Sequence, residues 1–168
     1  MAAASLAPYC LFIYSRSGKL LFHREWRAQK STESGPSQQA QLLFGVLTTL
    51  EGIGPRLAPK SRGKPEATTD VHYYRAGKYA VHHYRSGTGW RFALLTNEDA
   101  PDCSPLLRQL YCDVFVPLVI RNPLADSSEP IALPLFDHEV DQLLLRSGAT
   151  LAPPRPTAAA AGGASSHV

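Results

Sequence analysis

The stretch VHYYRAGKYAVHHYRSGTGWRF, residues 71–92, gathers His72, His82 and His83 with Tyr73, Tyr74, Tyr79, Tyr84 and Trp90, and with the basic Arg75, Lys78, Arg85 and Arg91. Imidazoles can ligate a metal ion or move protons, and aromatics set among basic residues can stack on nucleic-acid bases. A second cluster, Asp137-His138-Glu139-Val140-Asp141, holds carboxylates of the kind general acid–base chemistry uses. Cys10, Cys103 and Cys112 are the thiols available for nucleophilic attack.

Spacing removes most of this chemistry. In a strand, His82 and His83 point to opposite faces and cannot hold one ion. A two-residue turn at Gly77-Lys78 would set His72 beside His83 on a shared face. That pair is the enzymatic alternative, a small metal-dependent site, but no acidic residue on these strands completes the ligand set. Packed or surface strand histidines are the expectation, and no metal ligand is assigned. On a helix, Asp137 and Asp141 stand one turn apart and away from the apolar Phe136, Val140 and Leu143, as on a solvated face. The cysteines are odd in number, lack CxxC spacing, and read as buried thiols in a reducing cytosol. GxSxG, P-loop, HExxH and GxGxxG motifs are all missing from the chain. No catalytic residue and no cofactor is expected.

The totals agree. The chain has 168 residues, room for one domain with a real core. It is 44% hydrophobic and 18% charged, a globular composition. A net charge of +3 is too mild to argue for a nucleic-acid partner. Pro8 interrupts the apolar N-terminal run, which lacks a basic leader and flows into a turn, so neither a signal peptide nor a membrane span is expected. The C-terminal SSHV has no prenylation cysteine. A soluble protein is the reading.

The elements that must position these side chains follow from periodicity. Residues 9–14 are apolar on both alternating sets, as in a central strand covered on both faces. Ser15-Arg16-Ser17-Gly18 supplies a turn, and a less regular, more polar strand follows over 20–26, suited to a sheet edge. A helix starts near Ser37, with Leu43, Val46, Leu47, Leu50 and Ile53 as its expected buried stripe and Gly54-Pro55 as its stop. Residues 56–70, with Arg56, Lys60, Arg62 and Lys64, read as a solvated basic loop. Strands are expected at 71–76, 79–84 and 90–96. A second helix begins at Ser104-Pro105, carries Leu107, Leu110, Tyr111, Val114 and Leu118 inward, and stops at Asn122-Pro123. A third spans 135–146 and stops at Gly148. Residues 1–8 and the Ala/Pro/Gly-rich 148–168 are expected to be disordered around a domain over 9–147. The order fits an α+β fold: a five-stranded antiparallel sheet with one helix on one face and two on the other.

Two surfaces then stand out. Opposite its expected core stripe the first helix carries Gln41, Phe44, Gly45, Thr48, Glu51 and Gly52, small and nearly uncharged where Lys and Glu are usual. Each glycine costs about 1 kcal/mol against alanine in a helix, for no local benefit. The end of the second helix, Val114-Phe115-Val116-Pro117-Leu118-Val119-Ile120, is apolar all round. It lies deep in the core or under a partner. Gln41, Phe44, Gly45, Thr48, Glu51, Phe115, Val116, Val119 and Arg121 are therefore the candidate interface residues.

YCLFIYSRSGKLLFHREW, KYAVHHYRSGTGWRFALLTN and VFVPLVIRNPL together resemble the small longin-type (sybindin-like) subunits of TRAPP, the complex that tethers transport vesicles, and most of all its subunit-one type. The resemblance runs over roughly residues 9–146, with Arg121-Asn122-Pro123-Leu124 after an apolar helix as its most specific piece. The hairpin alone is shared in style with clathrin-adaptor small chains and longin SNAREs, and an adaptor small chain is the alternative. The resemblance implies a longin (SNARE-like, profilin-like) fold with strand order 2-1-5-4-3. It also implies a non-catalytic scaffold subunit in an obligate hetero-oligomer with other TRAPP subunits, a second longin-type subunit among them. The assembled core would exchange nucleotide on a Rab GTPase in ER-to-Golgi transport. The chain itself would be cytoplasmic and only peripherally associated with ER and cis-Golgi membranes. Its edge strands, 20–26 and 71–76, could extend the sheet. Pro117 inside the second helix departs from the pattern and calls for a kink.

Overall fold

A computed structural model describes residues 5–27, 35–57 and 72–152. The elements, in chain order, are strands β1 (Pro8–Tyr14) and β2 (Leu20–Glu25), helix α1 (Pro36–Leu57), strands β3 (Tyr73–Ala76), β4 (Tyr79–Arg85) and β5 (Arg91–Asn97), and helices α2 (Ser104–Gln109) and α3 (Pro134–Arg146). Helix α2 continues directly into a π-helical segment, Leu110–Ile120. The strands form one antiparallel sheet in the order β2-β1-β5-β4-β3, so the fold is the longin-like α+β architecture expected. The basic loop lies mostly outside the described residues, as do 1–4 and 153–168.

Strand parity divides the core in two. Leu11 and Ile13 of β1 and Phe92 and Leu94 of β5 pack with Leu107, Val114, Phe115, Phe136, Val140 and Leu144 beneath α2, the π segment and α3. Cys10, Phe12, Tyr14, Ala93 and Leu95 point to the other face, where Ala40 and Leu47 of α1 meet them. Both residue sets of β1 are buried, which is why its sequence shows no polar alternation.

The turns are where the sequence put them. Gly18, Gly77 and Gly89 adopt φ of 88°, 63° and 93°, open to glycine and costly to other residues. The irregular alternation of β2 has a physical cause. Ile13 pairs with Phe22 and Tyr14 with Leu20, so Leu21 is a bulge residue, and Leu21 and Phe22 both enter the same core.

Four expectations need correction. Leu6 is buried, and the backbones of Ser5 and Ala7 are held by Asn97, so residues 5–8 belong to the fold rather than to a disordered N-terminus. Ala149 is buried and the Thr150 N–H donates to the Leu6 carbonyl, so the fold also runs past 147 to at least Leu151, which packs on the core. Short apolar residues outside a periodic run carry no pattern, and only their contacts reveal them. Helix α1 passes through Gly54-Pro55 to Leu57, because a proline one turn from a helix end removes a single hydrogen bond. Finally, Pro117 does not simply kink an α-helix. It sits in a π-helical stretch whose wider spacing closes with Arg121 N–H on the Val116 carbonyl at 2.9 Å, five residues back. A proline can neither donate to nor tolerate the carbonyl four residues back, and a wider turn absorbs both constraints.

Candidate partner-binding surfaces

The histidines separate as parity requires. Backbone pairing sets His72 opposite His83, with the His83 N–H on the His72 carbonyl at 2.8 Å. His83 faces α1, where its Nε2 lies 3.4 Å from Glu51 Oε1. His82 faces α2, with Nε2 3.0 Å from Thr96 Oγ1 and Nδ1 accepting the Cys103 N–H at 3.3 Å. Among the described residues no group of three or more His, Cys, Asp or Glu side chains is placed to hold a metal ion.

The acidic cluster on α3 is not a solvated face. Arg24 of β2 donates to Asp137 at 2.8 Å and grips both oxygens of Asp141 through Nε and a terminal nitrogen. Trp26 Nε1 donates to the same Asp141 carboxylate at 2.9 Å. These bonds fasten α3 across β2. Periodicity identified the outward side of α3 but not the edge strand that lies against it. Of the three thiols, Cys10 and Cys103 are buried, which pushes both up to about 12, with nearby Glu25 and Asp102 adding to it. Cys112 is exposed, against expectation.

Helix α1 is rotated from the expected orientation. Ala40 and Leu47 are its fully buried residues, with Leu43 and Phe44 packed beside them. Leu42, Val46 and Ile53 are 62%, 45% and 41% exposed, so two members of the expected core stripe, Val46 and Ile53, face out. Two proposed outward residues, Phe44 and Glu51, face in. The Phe44 ring lies 5.3 Å from that of Tyr14 and closes over Gly18. Glu51 accepts a two-pronged bond from Arg91 of β5, at 3.0 and 3.1 Å, while Arg91 stacks over the Phe44 ring at 5.2 Å. Arg85 approaches the same carboxylate at 3.7 Å. The physical reason is Arg91: it is buried on the α1 side of β5 and needs a carboxylate, which among the described residues this rotation supplies through Glu51. The signal available in sequence was the lone acid on α1, at i+7 from an aromatic residue and close to two turns along one face.

The outer face that results is more apolar than the one expected. Gln41, Leu42, Gly45, Val46, Thr49 and Leu50 line a shallow open groove. Thr48 and Thr49 donate their hydroxyls to the helix's own Phe44 and Gly45 carbonyls, at 2.9 and 2.8 Å, and leave the surface little polar character. A Cβ at Gly45 or Gly52 would meet nothing within 4 Å, so the space above both is open. In the π segment, Phe115 and Val119 are core residues, Phe115 lying 5.3 Å from Trp90 and 5.2 Å from Phe92. Val116 is half-buried, and Arg121 and Ile120 are exposed at the segment's end.

The two sheet edges differ. The Ile131 N–H donates to the Leu21 carbonyl at 2.7 Å, and Lys19 pairs with Glu129, so the segment before α3 already occupies the outer side of β2. At β3, pairing with β4 leaves the backbone groups of Tyr73 and Arg75 turned outward, and Tyr73 is 38% exposed.

No helix among the described residues is long and apolar enough to cross a membrane. A family model described as the Sybindin-like family matches residues 8–147. The Dictyostelium discoideum protein named trafficking protein particle complex subunit 1 is 25% identical over 136 residues, covering 81% of this chain and 93% of that protein. The Homo sapiens protein of the same name is 21% identical over 131 residues, covering 78% and 87%. The Saccharomyces cerevisiae protein named trafficking protein particle complex subunit BET5 is 28% identical over 123 residues, covering 70% and 74%. Among solved structures, Myxococcus xanthus MglB overlaps 60% of this chain and 73% of its own, at 12% identity and a TM-score of 0.39.

Proposed function

Since the chain belongs to the Sybindin-like family, we propose that it is a subunit of a TRAPP-type vesicle-tethering complex, contributing surface rather than chemistry. The observation that carries this reading is the match to the Dictyostelium subunit 1 over 93% of that protein's length. In finer detail, the chain sits in an obligate hetero-oligomer with a second longin-type subunit. It helps form the platform on which a Rab GTPase exchanges nucleotide, and it works from the cytoplasm at ER and cis-Golgi membranes.

The outer face of α1 is the proposed contact. Exposed Leu42, Val46 and Ile53 are unusual on a solvated helix, and the threonines and glycines between them let another backbone come close. Gln41, Gly45 and Thr48 remain in this surface, which gains Leu42, Val46 and Ile53 and loses Phe44 and Glu51. Val116, Ile120 and Arg121 form a second, smaller candidate patch, and the outward backbone of β3 offers strand addition.

The test is co-purification of the tagged full-length chain from cells under gentle conditions. Sister tethering subunits should accompany it in fixed ratio, and recovery as a lone monomer would overturn the reading. The exchange role is checked by nucleotide release from a Rab GTPase, with the complex assembled with and without this chain. Equal rates would remove that part alone.

A further inference from the structure

His82 is wholly buried, and both of its ring nitrogens are committed. The backbone N–H of Cys103 can only donate, so Nδ1, 3.3 Å away, must present a lone pair. Nε2 then carries the hydrogen and donates to Thr96 Oγ1 at 3.0 Å, while the Thr96 hydroxyl donates onward to the Asn97 carbonyl at 3.1 Å. The ring is therefore neutral, in one tautomer, and joins β4 and β5 to the residue that opens α2. Cys103 in turn accepts the first-turn N–H of Leu107 at 2.9 Å.

We propose that His82 is an acid-sensitive latch: neutral, it holds the start of α2 against the sheet, and on taking a proton it releases that helix end. A hydrogen on Nδ1 would face the Cys103 N–H, two donors with nothing between them.

The groups around the ring fit this. From β3 comes only the Tyr73 ring, 5.1 Å away, and from β5 Thr96. From the loop before α2 come Cys103, whose burial keeps it a neutral thiol, and Asp102. Asp102 Oδ1 accepts the Ser104 N–H and hydroxyl at 3.0 and 2.7 Å, and the charge of this carboxylate favours a protonated His82. Burial outweighs it and holds the imidazole below its ordinary range. A base depressed in the folded state binds fewer protons there than when released, so closure is complete above about pH 6.5 and weakens as pH falls through the unfolded value.

Amide hydrogen exchange of the full-length chain, corrected for intrinsic rates, tests this between pH 7.5 and 5.5. The amides of Cys103 and Leu107 should open increasingly often, approaching tenfold per pH unit below about 6.5, while β1 and β5 stay protected. His82→Asn keeps an acceptor toward Cys103 but cannot titrate, and should flatten that profile. Equal pH dependence in the variant and the wild type overturns the latch. Should the variant not fold, long-range proton–nitrogen correlation of the wild-type ring decides the matter. The Nε2–H tautomer should give way to the protonated ring together with movement of the Cys103 amide signal. Ordinary titration with that signal unmoved overturns the proposal.

Discussion

Glu51 and Arg91 meet as a two-pronged ion pair, at 3.0 and 3.1 Å, between the C-terminal half of α1 and the first residue of β5. The pair sits under the helix with His83 and Arg85 at its margins and the Phe44 ring against the guanidinium. It decides which side of α1 looks outward. Glu51→Ala would leave Arg91 buried without its carboxylate, and a loss of about 3 kcal/mol is expected in urea unfolding. The double variant Glu51→Leu with Arg91→Met should recover much of that. A single variant losing less than a few tenths would show that the pair does not orient the helix.

Phe44 and Val46 are two residues apart and should behave oppositely. Phe44→Asp drives a charge between Tyr14 and the Gly18 turn and should unfold or severely destabilise the domain. Val46→Asp, on the exposed side, should leave thermal stability nearly unchanged and reduce recovery of sister subunits severalfold in co-purification. Normal partner recovery with Val46→Asp would move the interface off this face.

Gly18 is held by two independent constraints. Its φ of 88° disfavours any side chain, and a Cβ there would lie 2.6 Å from the Phe44 ring. Gly18→Ala should cost more than the roughly 1–2 kcal/mol of the backbone term alone. Adding Phe44→Leu should lower the cost of the glycine change by removing its steric part, visible as a non-additive double-variant cycle. Strict additivity would mean the ring and the turn do not touch.

Asp141 receives both Arg24 and Trp26, whereas Asp137 receives Arg24 alone and is the more exposed of the two. Asp141→Ala should therefore lower the melting temperature clearly more than Asp137→Ala, since it also orphans the buried indole N–H. Exchange protection of β2 should fall with it. Equal shifts would contradict the ranking.

Much of the fold was legible because it depends on neighbours in sequence. The continuous apolar runs of β1 and β5, the turn glycines 18, 77 and 89, and the apolar spacing of α3 are local patterns set by backbone geometry. Parity alone separated His82 from His83. The interface residues were less legible. Helix α1 carries apolar residues on more than one side, at Leu42, Leu43, Phe44, Val46, Leu47, Leu50 and Ile53, so periodicity allowed more than one buried stripe.

What the sequence by itself determined is the element list, the alternation of the strands and the absence of a recognisable catalytic motif, because each follows from residue type and spacing along the chain. The tertiary structure alone decided which way α1 turns, that Asp137 and Asp141 anchor an edge strand, and that residues 5–8 and 148–151 close the fold. Each of those is settled by a partner distant in sequence: Arg91 for Glu51, Arg24 for the two aspartates, Leu6 for Thr150. A buried charge or backbone group must be satisfied wherever its partner lies, and no local period records where that is.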